Sequence, residues 1–417
     1  MASIRMSRRQ FVGTLGLAPM AESAYAAASG AEHDTAVAPA ASRSQLSDYL
    51  LAPGLIHLNT ASLGATPRVV LDCVMRAWRD LESNPVAMAY FKTDDTVLSA
   101  AERVRTRAAA LLGCAADEIL ITRCTTDAMN TVAQGMRWAV GDRVLTTDQE
   151  HHGGSFCWEY EAQRRGAAID RVAIAPEDFD TAAIVRRFSD AITQRTRAIS
   201  VSHVITSTGL RMPIAQICAL AREHGIVSIV DGAQAVGGMP VDVKALGCDA
   251  YATSGHKWLM GPKGTGLLYI SKNASATIQP IQWQEDRHYG ANSAGVGPLP
   301  LAIGLGAAIE RLQDMGIAEV ERHNLALRNR AYAGLKQISK LRTVSPPPGP
   351  LATAVVTCKL PDDIDSKVLR ETLFAKYRIV VKMVEKQWFN GIRLSPHILN
   401  TETEIDAVLQ ALRVELG

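Results

Sequence analysis

Apolar residues recur along this chain in two alternating periods. Helical spacing covers about residues 68–81 and 96–112. Short apolar runs that read as strands follow at 118–122, 143–147, 198–204, 227–230 and 266–270, with amphipathic helical stretches between them. Strands separated by helices build a mostly parallel sheet flanked by helices, so an α/β class is expected. A long helical pattern, about 301–341 and interrupted near Gly316, leads away from this region. The run Ser345-Pro-Pro-Pro-Gly-Pro350 then breaks the chain before a strand at 352–359. A helix at 365–377, a strand at 379–383, a strand carrying Ile392-Arg393-Leu394 and a last helix at 402–416 form a smaller α+β domain.

The chain has 417 residues, above the size at which one core stops growing, which favours two lobes. The expected division is a leader and linker over 1–46, a large α/β domain over 47–300, and a linking helix with a small domain over 301–417. The leader differs in kind from the rest. Ser7-Arg8-Arg9-Gln10-Phe11 precedes a mildly apolar stretch from Phe11 to Met20, and Ala24-Tyr25-Ala26 offers a small-residue cleavage site. This resembles a twin-arginine signal, which implies a periplasmic or exported protein. Pro19 and Glu22 interrupt the apolar stretch, and the alternative is a cytoplasmic leader. Residues 27–46, rich in Ala and Ser, read as a linker.

Composition narrows the partners. A hydrophobic share of 47% and a charged share of 21% suit a globular protein, and no apolar run approaches the roughly 20 residues that span a bilayer. The net charge of +2 arises from interleaved acids and bases, so no nucleic-acid partner is implied. Seven cysteines (Cys73, Cys114, Cys124, Cys157, Cys218, Cys248 and Cys358) follow no disulfide or zinc pattern and read as small buried hydrophobes.

The chemistry concentrates near the middle. Val227-Ser-Ile-Val-Asp231 reads as a buried parallel strand with an acid at its carboxyl end, where open α/β sheets place their ligands. Lys257 follows a second apolar stretch, Asp249 to Thr253, and precedes the Gly-rich turn Gly261-Pro-Lys-Gly-Thr-Gly266. A carboxylate there can face a ring nitrogen, and the lysine can form a Schiff base with an aldehyde. Pyridoxal 5′-phosphate asks for that pairing. Thr125 and Thr126 stand between a strand and a helix that begins about Asp127, where free backbone N–H groups favour an anion such as the cofactor phosphate. Plain helix capping is the structural alternative. Arg393, at a strand end, is suited to clamp a substrate carboxylate.

Asp231-Gly-Ala-Gln234 and Ser254-Gly-His-Lys257 resemble the signature of aminotransferase class V, a family of fold-type I pyridoxal-phosphate enzymes. His203-Val-Ile-Thr-Ser-Thr-Gly209 and the segment from Arg393 to Glu402 look most similar to its isopenicillin N epimerase-like branch, and the similarity spans about residues 48–415. The resemblance implies a mostly parallel seven-stranded sheet, a smaller α+β C-terminal domain and a homodimer with its active site near the subunit interface. It implies catalytic roles for Lys257, Asp231 and His151, the last stacked on the cofactor ring. Gln234 would donate to the cofactor's phenolic oxygen, and Ser254 and His256 would reach its phosphate. Where the family brings a Gly-Thr segment from the partner subunit to the phosphate, Asn292 would at best be a substitute donor, and Asn59 lies in a segment that resembles the family's substrate loop. The adjacent His151 and His152 lack a third ligand at useful spacing, so no metal is expected. Desulfurases of the family carry a nucleophilic Cys on a small-domain loop. Here the only late cysteine, Cys358, lies inside a strand, which disfavours persulfide chemistry. Epimerisation is the leading expectation, with C–S lyase or aminotransferase activity as the alternatives and a non-catalytic cofactor-binding protein the least favoured.

Overall fold

The central strands of the main sheet are buried on both faces. The computed structural model describes residues 47–281 and 296–417. The twin-arginine-like segment and Asn292 lie outside the described residues, and those described all fall in one compact unit. The chain opens with β1 (Ile56–His57) and helices α1 (Arg68–Ser83), α2 (Pro85–Tyr90) and α3 (Val97–Leu112). The α/β part follows as β2 (Ile119–Thr122), α4 (Thr125–Gly135), β3 (Arg143–Thr147), α5 (His152–Arg165), β4 (Ala168–Val172) and α6 (Thr181–Ala191). It continues as β5 (Thr196–Ser202), α7 (Ile214–Glu223), β6 (Val227–Asp231), α8 (Val243–Leu246), β7 (Ala250–Ser254) and β8 (Gly266–Ile270).

These form a seven-stranded sheet in the order β2-β8-β7-β6-β5-β3-β4. Only β8 runs against the others, pairing antiparallel with β2 and β7. Strands β7 and β8 are buried at every residue, as expected for strands covered by helices on both faces. The carboxyl ends of β3, β5, β6 and β7 place Thr147, Ser202, Asp231 and Ser254 along one edge. That edge is crowded. A Cβ on Gly232, the residue after Asp231, would collide with the Tyr251 ring, whose hydroxyl bonds His203 Nδ1 at 2.8 Å.

Helices α9 (Leu299–Met315) and α10 (Ile317–Lys336) replace the single long helix, and Gly316 divides them with φ +79°. The break lies where the sequence places it, and a positive φ there suits glycine. Helix α9 packs on α1 and α3, whereas α10 packs on the small-lobe elements α12 (Glu402–Leu416) and β10 (Val356–Lys359). The small lobe also contains β9 (Arg342–Thr343), α11 (Ser366–Tyr377), β11 (Ile379–Val380), β12 (Lys382–Met383) and β13 (Gly391–Leu394). Its antiparallel sheet has the order β12-β13-β10-β9, over a core that includes Leu327, Leu373, Ile392, Leu394 and Leu412.

The expected strand at 379–383 is two strands because its halves have different neighbours. β11 pairs parallel with β1, while β12 pairs with β13. The β1–β11 pair ties the amino-terminal segment to the small lobe, from which residues 59–64 cross to Lys257. Gly64 N–H bonds the His256 carbonyl at 2.8 Å, and a Cβ on Gly64 would collide with the Lys257 carbonyl. Edge strand β4 escaped the sequence reading because it is half exposed and polar. Its Asp170 makes a bidentate pair with Arg143 of β3. Among the described residues no helix is long and apolar enough to cross a membrane.

Candidate active site

A cavity of about 400 Å³ opens at the carboxyl ends of β5, β6 and β7, with its far wall from the small lobe. Asp231, Lys257, His151, Thr125, Thr126, Gln234, Ser254, His256 and Arg393 all line it. Lys257 lies in a tight turn after β7 in which Met260 adopts φ +54°. Burial lowers its pKa from the ordinary lysine value, Asp231 opposes that shift and Arg393 reinforces it. An amine so treated is more often neutral and nucleophilic.

Asp231 ends β6 and is 6% exposed. Its Oδ1 accepts the Ala233 N–H at 2.9 Å, while Oδ2 has no donor among the described residues. A Cβ on Gly154 would come 2.5 Å from Oδ2, so the start of α5 closes around the carboxylate only because it is glycine. Burial raises the Asp231 pKa, against the lowering effects of Lys257 and the Ala233 N–H.

A second end of the cavity is built for an anion. Cys124 is the N-cap of α4 and makes no side-chain cap bond, and the helix starts at Thr125 rather than near Asp127. Ser254 Oγ accepts the Thr125 N–H at 3.0 Å and lies 2.7 Å from the Thr125 hydroxyl. Two hydroxyls sharing one bond leave one hydroxyl hydrogen to offer. His256 Nδ1 is buried without a partner among the described residues. An orphaned imidazole nitrogen, a spare hydroxyl and a helix amino terminus fit a phosphate, and the open Asp231 oxygen fits a protonated ring nitrogen.

His151 caps α5, with Nδ1 accepting the Gly153 N–H at 3.0 Å, which places the neutral ring's proton on Nε2. Burial first, then the Lys257 charge, lowers its pKa to about 4, so the imidazole is uncharged near neutrality and suited to lie against a ring. Gln234 lines the cavity, but its amide is engaged by the protein. Nε2 donates to the Ala61 carbonyl at 2.9 Å, and Oε1 accepts from Trp258 Nε1 at 2.8 Å. One of the two Nε2 hydrogens is thus held by Ala61, and Nε2 also lies 3.4 Å from Thr206 Oγ1.

Arg393 is 4% exposed and has no carboxylate ion pair among the described residues. Nη1 donates to the Thr206 carbonyl at 3.1 Å and hydroxyl at 2.7 Å; Nη2 donates to Asn59 Oδ1 at 3.3 Å and Ser62 Oγ at 3.1 Å. Its Nε is buried without a partner among the described residues. Burial lowers its pKa to about 10, opposed by Glu385. A buried cation with neutral partners is costly until an anion arrives. Asn59 does not line the cavity; it positions Arg393. Arg393→Lys should therefore raise the substrate KM and reduce kcat/KM by roughly 10- to 100-fold, the loss of about 1.5–3 kcal/mol for a charge-assisted bond. Steady-state kinetics checks this, and unchanged kcat/KM would remove Arg393 from substrate binding.

Other wall residues were not singled out from the sequence. Lys382, Met383, Val384, Glu385 and Trp388 come from the β12–β13 segment. That segment is tied to the β3–α5 connection by Trp388 Nε1 to the Asp148 carbonyl at 3.2 Å and by His152 to Gln387 at 3.1 Å. Cys124 also lines the cavity, contrary to the reading of all the cysteines as buried hydrophobes, because a helix N-cap opens onto the site. Cys358 is wholly buried in β10, with Sγ turned to the Ile392 carbonyl.

The aminotransferase class-V family model matches residues 56–408, and the chain belongs to that family. It is 30% identical over 400 residues to the isopenicillin N epimerase of Amycolatopsis lactamdurans, covering 91% of this chain and 98% of that protein. It is 28% identical to a probable cysteine desulfurase of Methanothermobacter thermautotrophicus over 87% of this chain and 95% of that one. Among solved structures, a cysteine desulfurase of Escherichia coli superposes with TM-score 0.76 at 25% identity, over 90% of this chain and 98% of that one. The apo cysteine desulfurase of Thermococcus onnurineus shares the fold, with TM-score 0.77 at 24% identity over 89% of this chain and 97% of that one. The protein is thus a fold-type I enzyme whose cofactor is pyridoxal 5′-phosphate.

Proposed function

We propose that this class V enzyme acts at the α-carbon of an amino acid or amino-acid-containing metabolite, and that the reaction is an epimerisation. The observation that carries this reading is the cavity shared by the Lys257 amine and an Arg393 guanidinium that has no carboxylate partner among the described residues. Bound pyridoxal 5′-phosphate supplies an electron sink that acidifies the α-hydrogen. The chain does the rest. Thr125, Thr126, Ser254 and His256 hold the phosphate end, and Asp231 keeps a proton on the ring nitrogen. Arg393 orients the substrate carboxylate, Lys257 Nζ takes the α-proton from one face, and inversion is completed by a proton, ultimately from solvent, delivered to the opposite face.

The isopenicillin N epimerase relative supports proton return over bond cleavage, as does the small-lobe wall of the cavity, whose lining residues Lys382, Met383, Val384, Glu385, Trp388 and Arg393 include no thiol. The purified protein, incubated in D2O with a panel of amino acids and peptidyl amino acids, should incorporate deuterium at Cα with inversion. Keto-acid formation would replace this reading with transamination, and sulfide or pyruvate release would replace it with elimination.

A further inference from the structure

Outside the residues already assigned, one part-buried acid stands beside the cofactor end of the cavity. Glu150 follows β3, and its two oxygens bridge the carboxyl ends of two strands. Oε1 accepts from Thr147 Oγ1 of β3 at 2.7 Å, and Oε2 accepts from Ser202 Oγ of β5 at 2.5 Å. Ser202 is the register partner of Asp231 on β6 and lines the main cavity, while Glu150 faces the adjoining one of about 250 Å³. Two carboxylates thus flank one strand end.

We propose that Glu150 is a positioning residue whose charge, anchored by the Ser202 hydroxyl, sets how strongly Asp231 holds the proton on the cofactor's ring nitrogen. This rests on the assignment of Asp231 to that nitrogen. Burial, with a smaller contribution from Asp231, pushes Glu150 up to about 7 despite the hydrogen bonds from Ser202 and Thr147. The titratable groups around it are Asp231 on β6, Asp148 beside β3, His152 and Glu159 on α5, and Arg171 on β4, the last four sharing the adjoining cavity. His151 is its neighbour in sequence. Below pH 7 Glu150 is neutral; above it, a second negative charge near Asp231 raises the proton affinity of Asp231 and of the ring nitrogen facing it.

The test is a pH titration of the bound cofactor's visible absorbance, with cofactor content measured at each pH. The wild-type holoenzyme should show a transition centred near pH 7. Glu150→Gln keeps the shape of the side chain but cannot ionise, so it should retain cofactor and lose that transition. Ser202→Ala removes a bond that lowers the Glu150 pKa, so it should move the midpoint upward. A wild-type transition in both variants would overturn the proposal. Asp231→Asn is titrated alongside: if its absorbance and turnover match the wild type, the assignment of Asp231 fails first, which distinguishes that failure from a failure of Glu150 alone.

Discussion

Lys257→Ala is expected to leave a folded, cofactor-binding protein with turnover lower by at least about 10²–10⁴-fold, the range for loss of a positioned proton-transfer group. Losing the nucleophile as well deepens the effect. Borohydride should fix the cofactor covalently to the wild-type chain and not to the variant, read by intact mass. The fold should survive because the Lys257 amine is held by no hydrogen bond among the described residues, whereas its backbone is well anchored. The Lys257 carbonyl accepts the Met260 N–H at 3.0 Å, and the adjacent His256 carbonyl accepts the Gly64 N–H at 2.8 Å. Truncation to alanine touches neither bond. A variant still fixed to the cofactor by borohydride would move the covalent role to another lysine.

Lysine and acid were legible because local chemistry announces them. An Asp at the end of an apolar strand and a Lys before a Gly-rich turn need no tertiary information to stand out, and five of the sheet strands follow from short apolar runs. Residues that act by proximity did not stand out. Thr206 and Ser62 hold Arg393 across 187 and 331 positions of sequence, so no spacing links them. Gly154 is needed because a carboxylate 77 positions away in sequence comes within 2.5 Å of where its Cβ would be, although the pair Gly153-Gly154 at the start of a helix was an audible local oddity. Strand β4 has charged residues where its pattern would need apolar ones, because an edge strand is covered less. Nothing local marks Glu150, because the Ser202 hydroxyl that holds it comes from 52 positions away in sequence.

Asp231→Asn tests the electrostatics of the site with almost no change of shape. The amide keeps Oδ1 for the Ala233 N–H, bound at 2.9 Å in the parent, and its Nδ2 takes the place of Oδ2 beside Gly154, so fold and cofactor content should hold. The charge does not survive. A carboxylate favours a proton on the ring nitrogen opposite it, whereas an amide nitrogen donates its own hydrogen and favours the unprotonated ring, which is the poorer electron sink. The direct loss is a charge-assisted hydrogen bond, about 1.5–3 kcal/mol, or roughly 10- to 100-fold in kcat. The weakened sink adds to this, because it bears on the charge that develops as the α-proton leaves. Lys257 also loses the carboxylate that opposes its lowered pKa, so its amine should titrate lower still, and what activity remains should extend to lower pH than in the wild type. Absorbance at saturating cofactor, single-turnover kinetics and a pH–rate profile separate these effects. Wild-type turnover in a cofactor-loaded Asp231→Asn enzyme would show that another group faces the ring nitrogen.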